Sequence, residues 1–132
     1  MTTPVVVDAS AGVEVLLGTE RGKSLVARVP RPVVEWVPEI YFAEVAAALR
    51  RAEMHGRLSG ARAAVALDRL LAAPVRRVQV RSLLDEAWAL RHNVVVNDAL
   101  YVVLARHLGA PLVTADVALA RAPSLGVEVI TP

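Results

Sequence analysis

Two apolar runs in this chain end on the same kind of side chain. In PVVVDAS, residues 4–10, three valines lead into Asp8, and in PLVTAD, residues 111–116, Leu and Val lead into Asp116. Two further acids stand in apolar surroundings. Glu44 interrupts the apolar stripe of PEIYFAEVAAALRRAEMHG, and Asp98 follows Asn97 at the head of NDALYVVLA. A carboxylate so placed is costly to bury unless it is hydrogen-bonded, paired or bound to a cation. Four of them packed together without counter-charge would raise one another's pKa values. A divalent cation resolves that repulsion, and magnesium and manganese take oxygen donors from carboxylates and water. The chemistry open to such a cluster is hydrolysis at a phosphate, with a metal-activated water and stabilisation of the developing negative charge.

Each acid taken singly also has an architectural role open to it. Asp8 and Asp116 are favoured residues for capping a following helix. Asp98 in a first helical turn is favoured by the helix dipole, and Asn97 is available as the cap. Glu44 is harder to explain this way, because Ile40, Tyr41, Val45, Ala48, Leu49 and Ala52 share its stripe by three-and-four spacing. Ser10 and Thr114 lie beside the strand-end acids. Their hydroxyls are placed to hold an acid, a metal-bound water or a phosphate oxygen, or to cap a turn. The absence of cysteine rules out thiolate metal sites and disulfides, and His55, His92 and His107 fall near helix ends or loops, where solvation or weak capping is expected.

The elements that must position these acids alternate. Strands are expected at 4–8, near 33–37, at 75–80, at 110–116 and at 126–130. Helices are expected at 10–18 with Ser10 as cap, at 19–28, from Pro38 in a first turn to His55, at 59–73, at 82–92, at 97–109 and at 117–122. Alternation of this kind implies an α/β fold, a three-layer α/β/α sandwich around a central, mostly parallel sheet. Ligands of such sheets bind outside the carboxyl ends of the strands, near a switch in strand order. Asp8 and Asp116 both end strands and therefore belong to that rim.

With 132 residues, 55% of them hydrophobic, the chain suits one domain spanning 1–132. No apolar run reaches the length of a membrane span and no secretory signal is visible, so a soluble, cytoplasmic protein is expected. The net charge of +2 is weak evidence for a nucleic-acid partner, although every one of the 15 basic residues except Lys23 is arginine. Arg50, Arg51, Arg57, Arg62 and Arg69 could follow an RNA backbone, pair with an acidic partner, or form a solvated surface. Trp36 and Trp88 could stack on bases but are expected to pack in the core or at an interface. The Ala- and Leu-rich helix at 61–73 is a candidate partner surface.

Four segments together, VVDAS at 6–10, Pro38 to Glu44 continuing into EVAAAL, NDALYVVLA at 97–105 and LVTAD at 112–116, resemble the PIN domain, and more narrowly the VapC-type toxin ribonucleases of toxin–antitoxin pairs. The likeness covers nearly the whole chain. It implies a metal-dependent endoribonuclease in which Asp8, Glu44, Asp98 and Asp116 match the family's acidic quartet and Ser10 and Thr114 its hydroxyl positions. Asn97 departs from the family's frequent aromatic residue before the Asp and keeps a polar side chain near the metal. The resemblance further implies Mg2+ or Mn2+ as cofactor, RNA as substrate, a homodimer, and a cognate antitoxin whose tail lies over the cleft. A haloacid-dehalogenase-like phosphatase would need an Asp where Ser10 stands, and a phospho-acceptor receiver a Lys near a late strand, whereas Lys23 is the only one. A non-catalytic binding module on the same fold remains the alternative.

Overall fold

The computed structural model describes residues 2–122 and 125–132; the remainder of the expected 1–132 domain lies outside the described residues. Strand β1 (Thr3–Val7) is followed by helices α1 (Ala9–Leu17) and α2 (Glu20–Arg28), strand β2 (Val33–Pro38), helices α3 (Ile40–Met54) and α4 (Gly60–Ala72), and strand β3 (Arg76–Val78). A 3-10 turn (Val80–Leu83), α5 (Leu84–Ala89), α6 (Val96–Leu108), β4 (Leu112–Val113), α7 (Val117–Ala120) and β5 (Val129–Ile130) complete the order. The five strands form one sheet in the order β3-β2-β1-β4-β5, and every pairing is parallel. Helices flank it, as expected of the α/β sandwich.

The centre of the sheet is β1, and its composition explains that place. Val5, Val6 and Val7 are all buried, so both faces of the strand are covered. β-Branched side chains suit a pleated surface that has neighbours on each side. The strand order reverses at β1, with β2 on one flank and β4 on the other. The register sets Val6 opposite Leu112 and Val7 opposite Val113, so the next residues, Asp8 and Thr114, emerge side by side at the carboxyl rim.

α6 is the most buried helix. Ala99, Leu100, Tyr101, Val102, Val103, Leu104 and Ala105 are all buried, which leaves little of its surface polar. A helix apolar on every side belongs between layers, and α6 packs on β1, β2, β4 and α5. Gly109 closes it in the left-handed conformation at φ 58°, a backbone state that costs glycine least.

Several element boundaries differ from expectation. Asp8, not Ser10, caps α1, accepting from the Ala11 amide at 2.9 Å. Pro38 ends β2, paired with Val78, instead of opening a helix; its fixed φ serves an extended residue as well as a first turn. Val95 caps α6, which puts Asn97 inside the first turn. The segment at 82–92 divides into the 3-10 turn and a short α5, with the Ser82 hydroxyl donating back to the Gln79 carbonyl at 2.7 Å. β4 stops at Val113, because the Ala115 amide donates to the Ser10 hydroxyl at 3.0 Å and its carbonyl accepts from Arg21, leaving neither for a ladder. Trp88 lies on the surface, 59% exposed, with the Arg91 guanidinium 4.7 Å from its ring centre.

Candidate active site

Asp8 is only 4% exposed, yet each of its two carboxylate oxygens accepts from a donor. The Ser10 hydroxyl donates to one oxygen at 2.7 Å, together with the Ala11 amide, and the Thr114 hydroxyl donates to the other at 2.5 Å. Burial pushes the Asp8 pKa up, the three donors pull it down, and the charge of Asp116 raises it further. Ser10 and Thr114 also stand 3.2 Å apart, so the strand end, the first turn of α1 and the β4 end form one hydrogen-bonded knot.

Asp116 caps α7, accepting from the Ala118 and Leu119 amides at 2.9 and 3.2 Å, while its own amide donates to the Thr114 hydroxyl at 3.0 Å. The capping roles of Asp8 and Asp116 and their shared rim therefore coexist. The Asp116 cap uses one oxygen, whereas both Asp8 oxygens accept hydrogen bonds while the residue still lines the cleft.

Glu44 projects from α3 toward α6. The Tyr101 hydroxyl donates to one of its oxygens at 2.5 Å and the Asn97 amide to the other at 3.4 Å. This is the partner that its apolar stripe demanded, and the stripe itself is buried at Tyr41, Val45 and Leu49. Tyr101 is buried, and its pKa is raised by that burial and by the Glu44 carboxylate, so its proton stays on the phenol. Asp98, one helical turn before Tyr101, is half-buried. Burial first, and then the charges of Asp116, Asp8 and Glu44, push its pKa from 3.8 up to about 6.

All four acids line one open cleft of about 370 Å³, together with Ser10, Glu14, Arg21, Arg51 and Tyr101. It opens at the switch between β1 and β4, where a parallel sheet is expected to bind ligands. Among the described residues none of the four acids forms an ion pair. The charges that act on Asp98 are all acidic. This donor set is all oxygen and carries uncompensated negative charge, which fits a hard divalent cation. Among the described residues no three acids stand close enough to enclose an ion. The arrangement thus suits a cation that takes one or two carboxylates and completes its shell with water, as magnesium does.

Of the residues expected here, Asp8, Glu44, Asp98, Asp116 and Ser10 line the cleft; Thr114 lies under it, fully buried, and Asn97 borders it through Glu44. None of His55, His92 and His107 lines it, and the His107 ring pairs instead with Glu86 at 2.6 Å. Tyr101 and Arg21 were not marked out by sequence. Tyr101 carried one signal, its position one turn after Asp98 on the same helix face. Arg21 carried none, because what brings it to the cleft is the turn between α1 and α2.

The fold and the cleft define an α/β domain with an acidic, cation-suited site at the switch point of its sheet. The chain belongs to the PIN-domain family, whose model matches residues 5–125. It is 39% identical over 125 residues to "Ribonuclease VapC1" of Mycobacterium tuberculosis, covering 94% of each chain. To "Ribonuclease VapC3" of the same organism it is 43% identical over 119 residues, covering 89% of this chain and 86% of that one. Its fold is similar to that of a solved Mycobacterium tuberculosis protein, VapC20, described as a Sarcin-Ricin loop cleaving toxin, with a TM-score of 0.68 at 23% identity over 97% of this chain and 99% of that one. It is similar also to a chain in the structure of VapBC2 from Rickettsia felis bound to a DNA fragment from their promoter, with a TM-score of 0.67 at 14% identity over 97% and 98% of the two chains.

Proposed function

We propose that this chain is a metal-dependent endoribonuclease, the toxin of a toxin–antitoxin pair, acting as one domain over 1–132. One observation carries the reading: four carboxylates, none in an ion pair among the described residues, line a single cleft at the sheet's switch point. The ribonuclease names of relatives at 39% and 43% identity supply the substrate class, RNA.

In this reading Mg2+ or Mn2+ sits among Asp8, Glu44, Asp98 and Asp116, with one or two of them as direct ligands and the others orienting its water shell. When bound, the cation supplies an activated water and a positive charge for the phosphate oxygens. The protein's own contribution is preorganisation. Ser10, Thr114 and the Ala11 amide hold Asp8 in one orientation. Tyr101 and Asn97 aim Glu44, and the first amides of α7 aim Asp116. Burial and the neighbouring acids raise the Asp98 pKa to about 6, a cost of ionisation that a bound cation would offset.

The toxin role brings a cognate antitoxin. Exposed Val65, Leu67 and Leu71 on α4, with Met54 at the end of α3, support an apolar surface for a protein partner. We assign homodimerisation and a cytoplasmic location on the same family grounds. No helix among the described residues is long and apolar enough to cross a membrane.

The test is cleavage of a total RNA pool by the purified chain, free of antitoxin, with manganese, magnesium or a chelator, beside an Asp98→Asn variant. Discrete products that require the metal and disappear in the variant are expected. Products that persist in the variant would overturn the site assignment. Absence of both cleavage and Mn2+ binding would favour a non-catalytic module.

A further inference from the structure

Five arginines of the central helices were candidates for an RNA path, and the structure separates them. The Arg62 and Arg69 side chains donate to the Leu17 and Leu16 carbonyls at 3.4 and 3.0 Å, where they close the C-terminal end of α1. Arg57 reaches the His55 ring at 3.4 Å, and Arg50 borders a different groove, between α3 and α4. Of these five only Arg51 lines the acidic cleft, and it is joined there by Arg21 from α2.

The two are held differently. Arg21 donates to the Ala115 carbonyl at 2.6 Å, and another of its nitrogens lies 3.8 Å from Glu14. Ala115 directly precedes Asp116, and its amide donates to Ser10, so the guanidinium is fixed against the backbone between two residues of the site. A guanidinium has five N–H donors, and one hydrogen bond plus one loose ion pair leaves most of them for a ligand. The Arg21 side chain is half exposed at 51%. Glu14 is itself occupied by the Thr19 hydroxyl. Arg51 stands on α3 at seven residues past Glu44, two turns along the same face, is exposed, and its side chain has no hydrogen-bond or ion-pair partner among the described residues.

We propose that Arg21 and Arg51 grip phosphates of the RNA strand that crosses the acidic cleft. This rests on the ribonuclease reading and adds to it the residues that hold the substrate. A strand crossing the acidic floor would be repelled unless cations flank it, and the forked guanidinium matches a phosphate with two parallel donors. Arg21 comes to the cleft from α2 and Arg51 from α3, two helices that both pack on α1, while Asp98 and Tyr101 come from α6. An acidic peptide meets the same two forks but offers no phosphate to the carboxylate floor and its cation, which is why RNA is the better occupant.

Phosphate contacts carry no sequence information, so a short mixed-sequence single-stranded RNA is a sufficient probe. Its binding to the full chain would be measured over a range of salt in Mn2+, with Asp98→Asn as the common background to prevent cleavage, and Mn2+ binding to each arginine variant with Asp98 intact would be titrated in parallel. Arg21→Ala and Arg51→Ala should each weaken RNA binding about tenfold at low salt. Each should lower the slope of log affinity against log salt by about 0.7. Mn2+ affinity should not move. Arg21→Lys should keep the salt slope and recover part of the affinity, because it restores the charge without the fork. Unchanged slopes, or a loss of Mn2+ affinity in place of RNA affinity, would overturn the proposal and leave Arg21 a purely architectural role. Weakened binding confined to a polyglutamate probe would overturn it in favour of an acidic protein partner. If the unaltered chain neither binds nor cleaves RNA in Mn2+, the ribonuclease reading fails and this proposal fails with it.

Discussion

The Tyr101 hydroxyl donates to the Glu44 carboxylate at 2.5 Å, joining α6 to α3 across 57 positions of sequence. Tyr101 is 1% exposed, so its hydroxyl has little else to meet. The bond explains how an acid persists in the apolar stripe of α3, and it aims that acid at the cleft.

Tyr101→Phe removes the donor and keeps the ring. Glu44 is partly exposed and can recover some hydration, so the loss of stability should be about 1 kcal/mol, read by urea unfolding. RNA cleavage should fall by roughly tenfold, because the carboxylate is no longer held in one position. Full activity in this variant would show that Glu44 needs no aiming.

Asp98 gives a pH-dependent prediction. Its pKa is raised from 3.8 to about 6, so in metal-free buffer the native state binds its proton more tightly than the unfolded chain does. The cost of ionising it is absent below the lower value, grows as pH rises between the two, and is complete above about 6. Asp98→Asn should therefore stabilise the metal-free protein near neutral pH by about 1 kcal/mol, after allowing for solvent screening of a half-buried group. The gain should vanish near the ordinary aspartate pKa. Urea unfolding at both pH values checks it, and a gain that does not change with pH would refute this cause.

Thr114→Val is close in shape but takes away the donor to the second Asp8 oxygen. Asp8 is buried and cannot substitute water, so a loss of about 2 kcal/mol is expected near neutral pH. The Asp8 pKa should rise further, since one of the bonds holding it down is gone. Mn2+ affinity, measured by calorimetry, should consequently drop more in mildly acidic than in mildly alkaline buffer.

Gly22→Ala probes the corner that carries Arg21. A methyl group there would press into the backbone carbonyl of Glu14, which cannot rotate away. The two short helices α1 and α2 would have to separate, at a cost of about 3 kcal/mol. Thermal unfolding measures it; an unchanged midpoint would mean that the corner tolerates a wider spacing.

Sequence alone determined the skeleton of this protein and the direction in which its chemistry lies. Valine runs in β1 and the apolar lead into Asp116 required buried strands, and alternation with helices required them to be parallel. A parallel strand delivers its last residue to one rim, so Asp8 and Asp116 had to share an edge. The stripe around Glu44 was equally readable, because helical periodicity is local. Tertiary structure decided the contacts made by residues far apart in the chain. Thr114 reaches Asp8 only because the register of β1 on β4 sets them side by side, 106 positions apart. Caps shifted by two residues, from Ser10 to Asp8 and from Asn97 to Val95, since several side chains near a helix start compete for the same amides and packing selects among them. Arg62 and Arg69 were spent on the carbonyls of α1 while Arg21 came to the cleft, a division that turns on how two short helices fold back on each other at Gly22. Local pattern encodes which face of an element is apolar; which polar group meets which is a property of the packed whole.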